Sequence, residues 1–360
     1  MKAAVLYDIN IPLQIETFDL PNLEDDQVRV RLEASGVCHS DWHVIKGEWP
    51  FVPLPNILGH EGAGVVEAIG SDVRNISVGD HVVLSWKRNC GLCEMCQEGY
   101  PNRCDEPADH RGNPTQPERS DSMNRFNGLG TFATETIVPQ DVVIPIDKEI
   151  PLPQAALVGC GVMTGVGAAL NTANVQPGKS VAVFGCGGVG LNVIQGAAIA
   201  GAEPIIAVDL ADNKLEMGRL FGATHTVNAS QVDPVEAIRE LTDGQGVHYA
   251  FEAIGLVSAP FKQSILCTRK RGVTVYVGHA PEQTPVDFDA RILMPEKMVI
   301  GSMYGTCRPR VDFPRLLNLY KAGKLKLDEL VTRTYQLEDV NEAFEALRKG
   351  EVARSVLDLT

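Results

Sequence analysis

A chain of 360 residues is longer than one hydrophobic core usually supports, so two domains are expected. Its formal charge of -14 comes with no basic cluster, which argues against nucleic acid as a partner. Asp8 interrupts the first apolar run before it could serve as a signal peptide, and the longest weakly polar stretch, Ala156 to Leu170, is fifteen residues broken by four glycines, too short to cross a bilayer. The expectation is therefore a cytoplasmic protein with no membrane segment, in which nine cysteines serve as thiols or metal ligands rather than a disulfide framework.

From Met1 to about Gly161 short β-like runs alternate with turns: Lys2 to Tyr7, Val28 to Ala34, Gly62 to Ile69, His81 to Leu84 and Phe132 to Val138. A polar stretch from Asp105 to Asn127, carrying three prolines and almost no apolar periodicity, reads as a long loop. After Pro177 the texture changes to apolar strands at about 181, 205, 225, 248, 273 and 298, separated by helical segments such as Asn213 to Phe221 and Pro234 to Leu241. Six strands of this kind make a doubly wound parallel sheet, and the fold class is α/β. Two amphipathic helices follow, Phe313 to Ala322 and Leu337 to Lys349, and then a last strand, Ser355 to Leu359, that has no place in the sheet and is expected to return to the first domain.

The second half opens on a nucleotide-binding turn. An apolar strand, Val181 to Phe184, runs into Gly185-Cys186-Gly187-Gly188-Val189-Gly190 and a helix-forming series. Gly185 permits the turn, Gly187 lets backbone approach a pyrophosphate, and Gly190 brings helix close to strand, while the helix start offers free N–H groups. The next strand, Ile205 to Val208, ends in Asp209, whose carboxylate would accept both ribose hydroxyls of an adenosine and repel a 2′-phosphate. NAD is favoured over NADP.

Cys90-x2-Cys93-x2-Cys96-x7-Cys104 places four thiolates in one short loop, enough to close a tetrahedral zinc shell with no position left for substrate. A disulfide pair is disfavoured by compartment, and an iron–sulfur cluster by the long last gap. A second set is dispersed: Cys38, His60 and Cys160, each in a glycine-containing context. On spacing alone each reads more readily as a buried core residue than as a ligand.

These three motifs, the Cys90 to Cys104 loop and the Gly185 turn occur in this order in zinc-dependent medium-chain alcohol dehydrogenases, which the chain resembles from Met1 to Thr360. It looks most like the branch holding class III and thiol-dependent formaldehyde dehydrogenases and bacterial aromatic alcohol dehydrogenases. The resemblance implies a GroES-like, mostly β catalytic domain over residues 1–161, a Rossmann domain over 162–304, and a return to the catalytic domain over 305–360. It implies two zinc ions per chain: a structural one on Cys90, Cys93, Cys96 and Cys104, and a catalytic one on Cys38, His60 and Cys160, with Glu61 beside it and Asp41 orienting His60. Ser40 would be the first acceptor of the alcohol proton and His43 the surface base, reached through the ribose hydroxyls. His39 stands where several relatives carry an arginine on the pyrophosphate, and Lys214 and Arg354 match positions that touch adenosine ribose and pyrophosphate. Trp86 and Trp49 match positions lining the substrate channel, where a large ring favours primary alcohols.

The implied activity is reversible oxidation of a primary alcohol, aryl or medium-chain, by hydride transfer to NAD. One alternative is oxidation of an S-hydroxymethyl thiol; glutathione-dependent relatives use an arginine where this chain has Ala108, and Arg111 is the nearest substitute. The other is a non-catalytic NADH-binding protein, a class that usually loses the zinc ligands. Pairing through the last strands of the nucleotide domain, around Met298 to Met303, would give a homodimer, with a tetramer second.

Overall fold

The computed structural model describes residues 1–117, 122–280 and 284–360, so residues 118–121 of the expected Asp105 to Asn127 loop lie outside the described residues. The chain divides into two compact units: one of Met1–Cys160, Arg308–Gly323 and Leu327–Thr360, the other of Gly161–Cys307 with Lys324–Lys326.

The first unit is built on a seven-stranded sheet. Its path runs Val331–Gln336, Arg354–Asp358, Gln27–Val37, Gly62–Ile69, His81–Leu84, Val143–Ile146, with Glu135–Pro139 also paired to Gln27–Val37. The central strand Gln27–Val37 buries Val28, Val30, Leu32 and Ala34 in alternation, the period of a pleated strand with one face on a core. Val28, Val30 and Leu32 join Leu58, Val66, Val82, Leu84, Phe132 and Phe344 in the main apolar cluster. A four-stranded sheet, Gln14–Thr17, Lys2–Leu6, Asn56–Ile57 and Asn124–Arg125, carries a smaller core around Val5, Phe18 and Ile57.

The last strand, Arg354–Asp358, pairs antiparallel with Gln27–Val37, Ser355 lying opposite Val37. It therefore returns to the first unit, and its register sets Arg354 one step beyond Val37, beside Cys38. Its other neighbour, Val331–Gln336, lies parallel to it. The expected strand Phe132 to Val138 begins late, at Glu135. Thr131 and Phe132 donate instead to Gly59 and Leu58 carbonyls, both at 3.0 Å, and Ala133 bridges Ala3, so this stretch is used by the smaller sheet.

In the second unit every strand pair is parallel. The order is His225–Asn228, Ile205–Asp209, Val181–Phe184, Val247–Glu252, Thr268–Tyr276, Met298–Gly301. Strand order reverses between Val181–Phe184 and Val247–Glu252, whose last residues Phe184 and Glu252 face one another. The crevice outside the carboxyl ends at such a reversal is where open α/β sheets bind ligands. The apolar stretch expected over Ala156 to Leu170 is part of a longer helical run, Leu152–Thr172. At 21 residues it is apolar enough to cross a membrane by length and composition, but 78% of its most apolar window is buried inside the protein.

Candidate functional site

Three separated segments of the first unit deliver one donor set. Cys38 follows the end of Gln27–Val37 and precedes the helix His39–Ile45, His60 and Glu61 lead into Gly62–Ile69, and Cys160 lies in the π-helical turn Val158–Val162. Such wide turns recur at functional positions in helices. One donor atom from each of Cys38, His60, Glu61 and Cys160 lies within 4.8 Å of the others, and all four residues are buried. Asp41 Oδ1 accepts from Gly59 N–H at 2.9 Å and faces His60 Nδ1 at 3.3 Å. His60 Nε2 is buried and has no hydrogen-bond partner among the described residues. Ser40 Oγ is 3.7 Å from Cys38 Sγ. Gly36 is required here, because a Cβ on it would come within 2.0 Å of Glu61 Oε2.

The electrostatics suit the binding of a cation. A hydrogen bond from Cys160 holds Cys38 well below the ordinary thiol value against the opposing effect of burial, and the same bond with burial carries Cys160 well above it. Burial alone would pull His60 down, but the charge and hydrogen bond of Asp41, with the Cys38 thiolate nearby, carry it well above its ordinary value. Burial pushes Glu61 up to about 7 while the charge of Arg354 opposes it. Protons held this way are displaced when a metal takes the same lone pairs. Two sulfurs and an imidazole nitrogen are borderline-soft donors of the kind zinc takes, three of them leave a fourth position open, and a buried lone pair with no partner costs about 1–3 kcal/mol that an ion would relieve. The residues fit the metal.

Arg354 was expected on the pyrophosphate of a dinucleotide. It is instead sealed in the protein, 4% exposed, with Nη2 donating to Glu61 Oε2, and its Nε has no partner among the described residues. His39 is exposed and Lys214 half-buried on the helix Asp212–Leu220.

The four clustered cysteines form a second donor set, again within 4.8 Å, and no disulfide joins any cysteine among the described residues. Cys90 and Cys96 sulfurs are 4.0 Å apart and Cys93 and Cys104 3.9 Å, close to the roughly 3.8 Å edge of a tetrahedron with zinc–sulfur bonds of about 2.3 Å. The N–H groups of Cys93 and Leu92, each 3.4 Å from Cys90 Sγ, lower that thiol to about 7, whereas burial pushes Cys96 up to about 12.

In the second unit the glycine turn has the geometry its sequence implies. Gly185 has φ +94°, Gly187 precedes the helix Gly188–Ile199, and a Cβ on Gly190 would lie 1.7 Å from the Gly185 carbonyl oxygen, so only glycine allows that approach. Val189 lies in the first turn of that helix. Asp209 Oδ2 accepts from Cys186 N–H at 2.8 Å, and Oδ1 accepts from Leu210 N–H at 2.8 Å and Ala211 N–H at 3.2 Å. The acidic residue thus also ties the turn to the start of the next helix, a task its sequence position does not reveal.

Aromatic rings adjoin the first donor set. Trp49 stacks on His43, with centroids 5.2 Å apart and planes at 20°, and on Phe51 at 5.8 Å; Phe126 meets Trp49 and sets its ring edge-on to His60 at 5.3 Å. His43, expected at the surface, is buried, with Nδ1 bonded to Glu48. Trp86 is half-buried against the main apolar cluster. Phe126 and Glu48 escaped sequence reasoning: Phe126 lies in the polar stretch read as a loop, and Glu48 looks like any helix-end charge. Arg111, the substitute thiol-site cation, is already shared among Asp109, Asp26 and Glu24.

Residues 24–148 match the family profile described as the alcohol dehydrogenase GroES-like domain, and residues 188–322 match that described as zinc-binding dehydrogenase. The S-(hydroxymethyl)glutathione dehydrogenase of Saccharomyces cerevisiae is 37% identical, over 99% of this chain and 95% of its own. The chain belongs to the zinc-dependent alcohol dehydrogenases. Among solved structures of the family, benzyl alcohol dehydrogenase from Acinetobacter calcoaceticus superposes with a TM-score of 0.93 at 34% identity, covering 100% of this chain and 99% of that one. A zinc-binding dehydrogenase from Sinorhizobium meliloti bound to NADP superposes at 0.84 and 26% identity, with 99% and 98% covered. The alcohol dehydrogenase fold of GroES-like and dinucleotide-binding parts, zinc and a nicotinamide dinucleotide are common to the family, and this chain carries a donor set for each zinc and the turn for the dinucleotide.

Proposed function

We propose that the chain is an NAD-dependent dehydrogenase of primary alcohols, aryl or medium-chain, acting in the cytoplasm as a homodimer. The observation that carries this reading is the buried set Cys38, His60 and Cys160, complete and gathered around an imidazole nitrogen that has no hydrogen-bond partner among the described residues. A non-catalytic NADH-binding protein has no need to preserve such a set. Zinc bound there supplies a Lewis acid that lowers the proton affinity of a coordinated alcohol.

The residues of the chain divide the remaining work. Asp41 keeps the proton on His60 Nδ1, so Nε2 offers its lone pair. Ser40, next to Cys38, accepts the alcohol proton, and His43 is the final base. Gly185, Gly187, Gly188, Val189 and Gly190 cradle the pyrophosphate, with Lys214 as the cation on the adenosine side of the dinucleotide. Asp209 discriminates against a 2′-phosphate, even though a solved relative binds NADP. Trp49 and Trp86 bound the substrate, and their size disfavours a second alkyl group on the carbinol carbon. The benzyl alcohol dehydrogenase likeness supports an aryl substrate.

The test sets benzyl alcohol and hexanol with NAD against formaldehyde, glutathione and NAD, with elemental analysis alongside. Turnover of the alcohols and two zinc ions per chain are expected, with Cys160→Ala losing one ion and the activity. Turnover confined to formaldehyde with glutathione would instead establish the S-hydroxymethyl thiol as substrate; Ala108 and the fully paired Arg111 argue against that outcome.

A further inference from the structure

We propose that Glu48 is a positioning residue for His43, holding its imidazole in the one tautomer and orientation that can take the alcohol proton. The proposal rests on His43 being the final base of the dehydrogenase reaction. It starts from how the helix His39–Ile45 ends. Gly47, at φ +70°, donates to the Val44 carbonyl at 3.0 Å, and Glu48 N–H donates to the His43 carbonyl at 2.9 Å. That is the left-handed glycine termination, which satisfies the last carbonyls and folds the chain back over the turn it closes. The fold-back sets Glu48 above His43, and its Oε2 meets His43 Nδ1. The next residue, Trp49, lies flat on the same ring, at 5.2 Å and 20°. The imidazole is buried, and Trp49 is itself backed by Phe51 at 5.8 Å.

A carboxylate can only accept, so Nδ1 carries the proton and Nε2 carries the lone pair. An imidazole without such a partner divides between two tautomers, only one of which has an acceptor at Nε2. In the reaction the alcohol O–H proton would pass by way of Ser40 and the ribose hydroxyls to Nε2, and the carbinol C–H would leave as hydride to oxidised NAD. The imidazolium, its Nδ1–H still on Glu48, then releases the Nε2 proton to water and regains its starting form. The alcohol loses two electrons and two protons; NAD takes both electrons with one proton, as hydride, and water takes the other.

The test follows the transient formation of NADH from benzyl alcohol by the zinc-loaded enzyme, comparing Glu48→Ala, Glu48→Gln and His43→Gln with the wild type. Zinc content and the NADH dissociation constant are measured for each. Glu48→Ala is expected to slow the transient about tenfold, less than the roughly 10²–10⁴-fold that general base catalysis supplies in full, because the base is misaligned and not removed, with unchanged zinc and NADH affinity. Its rate should climb as a small amine buffer is added, because an external base replaces the misaligned one. Glu48→Gln, whose amide oxygen still accepts from Nδ1–H, should fall between alanine and wild type. A Glu48→Ala transient at wild-type speed, alongside a slowed His43→Gln, would overturn the proposal. So would a slow transient indifferent to added base, with glutamine no better than alanine, which is the mark of a purely structural role. Wild-type speed in His43→Gln would remove His43 as the base, and with it the reading on which the role of Glu48 stands.

Discussion

Arg354 and Glu61 are 4% and 0% exposed, joined by a hydrogen bond immediately behind Cys38 and Cys160. Removing two charges from water is costly, and such a pair is tolerated because each partner compensates the other. Arg354→Met leaves the Glu61 carboxyl buried without its cation, and burial already pushes that group up to about 7. We expect Arg354→Met to lower stability by about 3–5 kcal/mol in urea titration, the range for breaking a buried pair. The double variant Arg354→Met with Glu61→Gln should recover part of that loss, and a double variant as unstable as the sum of the singles would show that the two do not interact. Little of this was legible in the sequence. The family position of Arg354 suggested a phosphate contact, but its depth comes from antiparallel pairing with Gln27–Val37, which no local pattern encodes. The dispersed donors were ambiguous for the same reason, since Cys38, His60 and Cys160 arrive on three segments and only the resemblance joined them. Glycine spacing, by contrast, is a local steric requirement, and the Gly185 to Gly190 turn was readable outright.

At the scale of the element, the Cys90 to Cys104 loop shows why short-range motifs carry so much information. Its four sulfurs converge through a short helix, Glu94–Gln97, and a single turn, Pro101–Arg103, with Gly91 and Gly99 at positive φ. Backbone N–H groups favour the thiolate form of Cys90. Because its folded value of about 7 lies below the ordinary 9.0, the thiolate stabilises the loop fully above pH 9 and that stabilisation is lost as pH falls through 7. Metal-free protein should therefore lose urea resistance between pH 9 and pH 7, and Cys90→Ser should remove that part of the dependence; an unchanged pH dependence in the variant would refute it. Cys93→Ala should lower the thermal midpoint of the zinc-loaded protein and abolish further loss on chelation at this loop, because metal binding here is also folding free energy. Strands were less legible than the loop wherever pairing, not composition, decides. Val331–Gln336 is largely polar and exposed, and becomes a strand through parallel pairing with Arg354–Asp358, itself anchored on Gln27–Val37. Phe132 is β-prone but is claimed by the smaller sheet. In the parallel sheet Val181–Phe184 and Ile205–Asp209 were the most legible, because the buried runs Val181 to Phe184 and Ile205 to Val208 are continuous and apolar.

For the whole molecule, the open question of assembly turns on one sheet edge. Met298–Gly301 is the last strand of the six-stranded sheet and, among the described residues, pairs only with Thr268–Tyr276 within that sheet. Its outer row of backbone N–H and C=O groups is a template for another strand, a liability that proteins normally blunt with charge, proline or a covering element. Here the strand reads Met-Val-Ile-Gly, with Met298 52% exposed and Val299 38%, and Met294 nearby is 80% exposed. A Cβ on Gly301 would meet nothing within 4 Å, so the backbone there is open to close approach. A two-fold axis through this edge would pair the strand with its own copy antiparallel, the only arrangement a two-fold permits, and join two six-stranded sheets into one of twelve. The contact is self-complementary and closes at two copies. The expected species in sedimentation equilibrium is therefore a dimer. Val299→Lys should place two like charges across the axis and shift the protein to monomer, with zinc content retained. A dimer that persists unchanged in Val299→Lys would put the interface elsewhere, and a wild-type tetramer that falls to dimers in the same variant would make this edge one of two interfaces rather than the whole assembly.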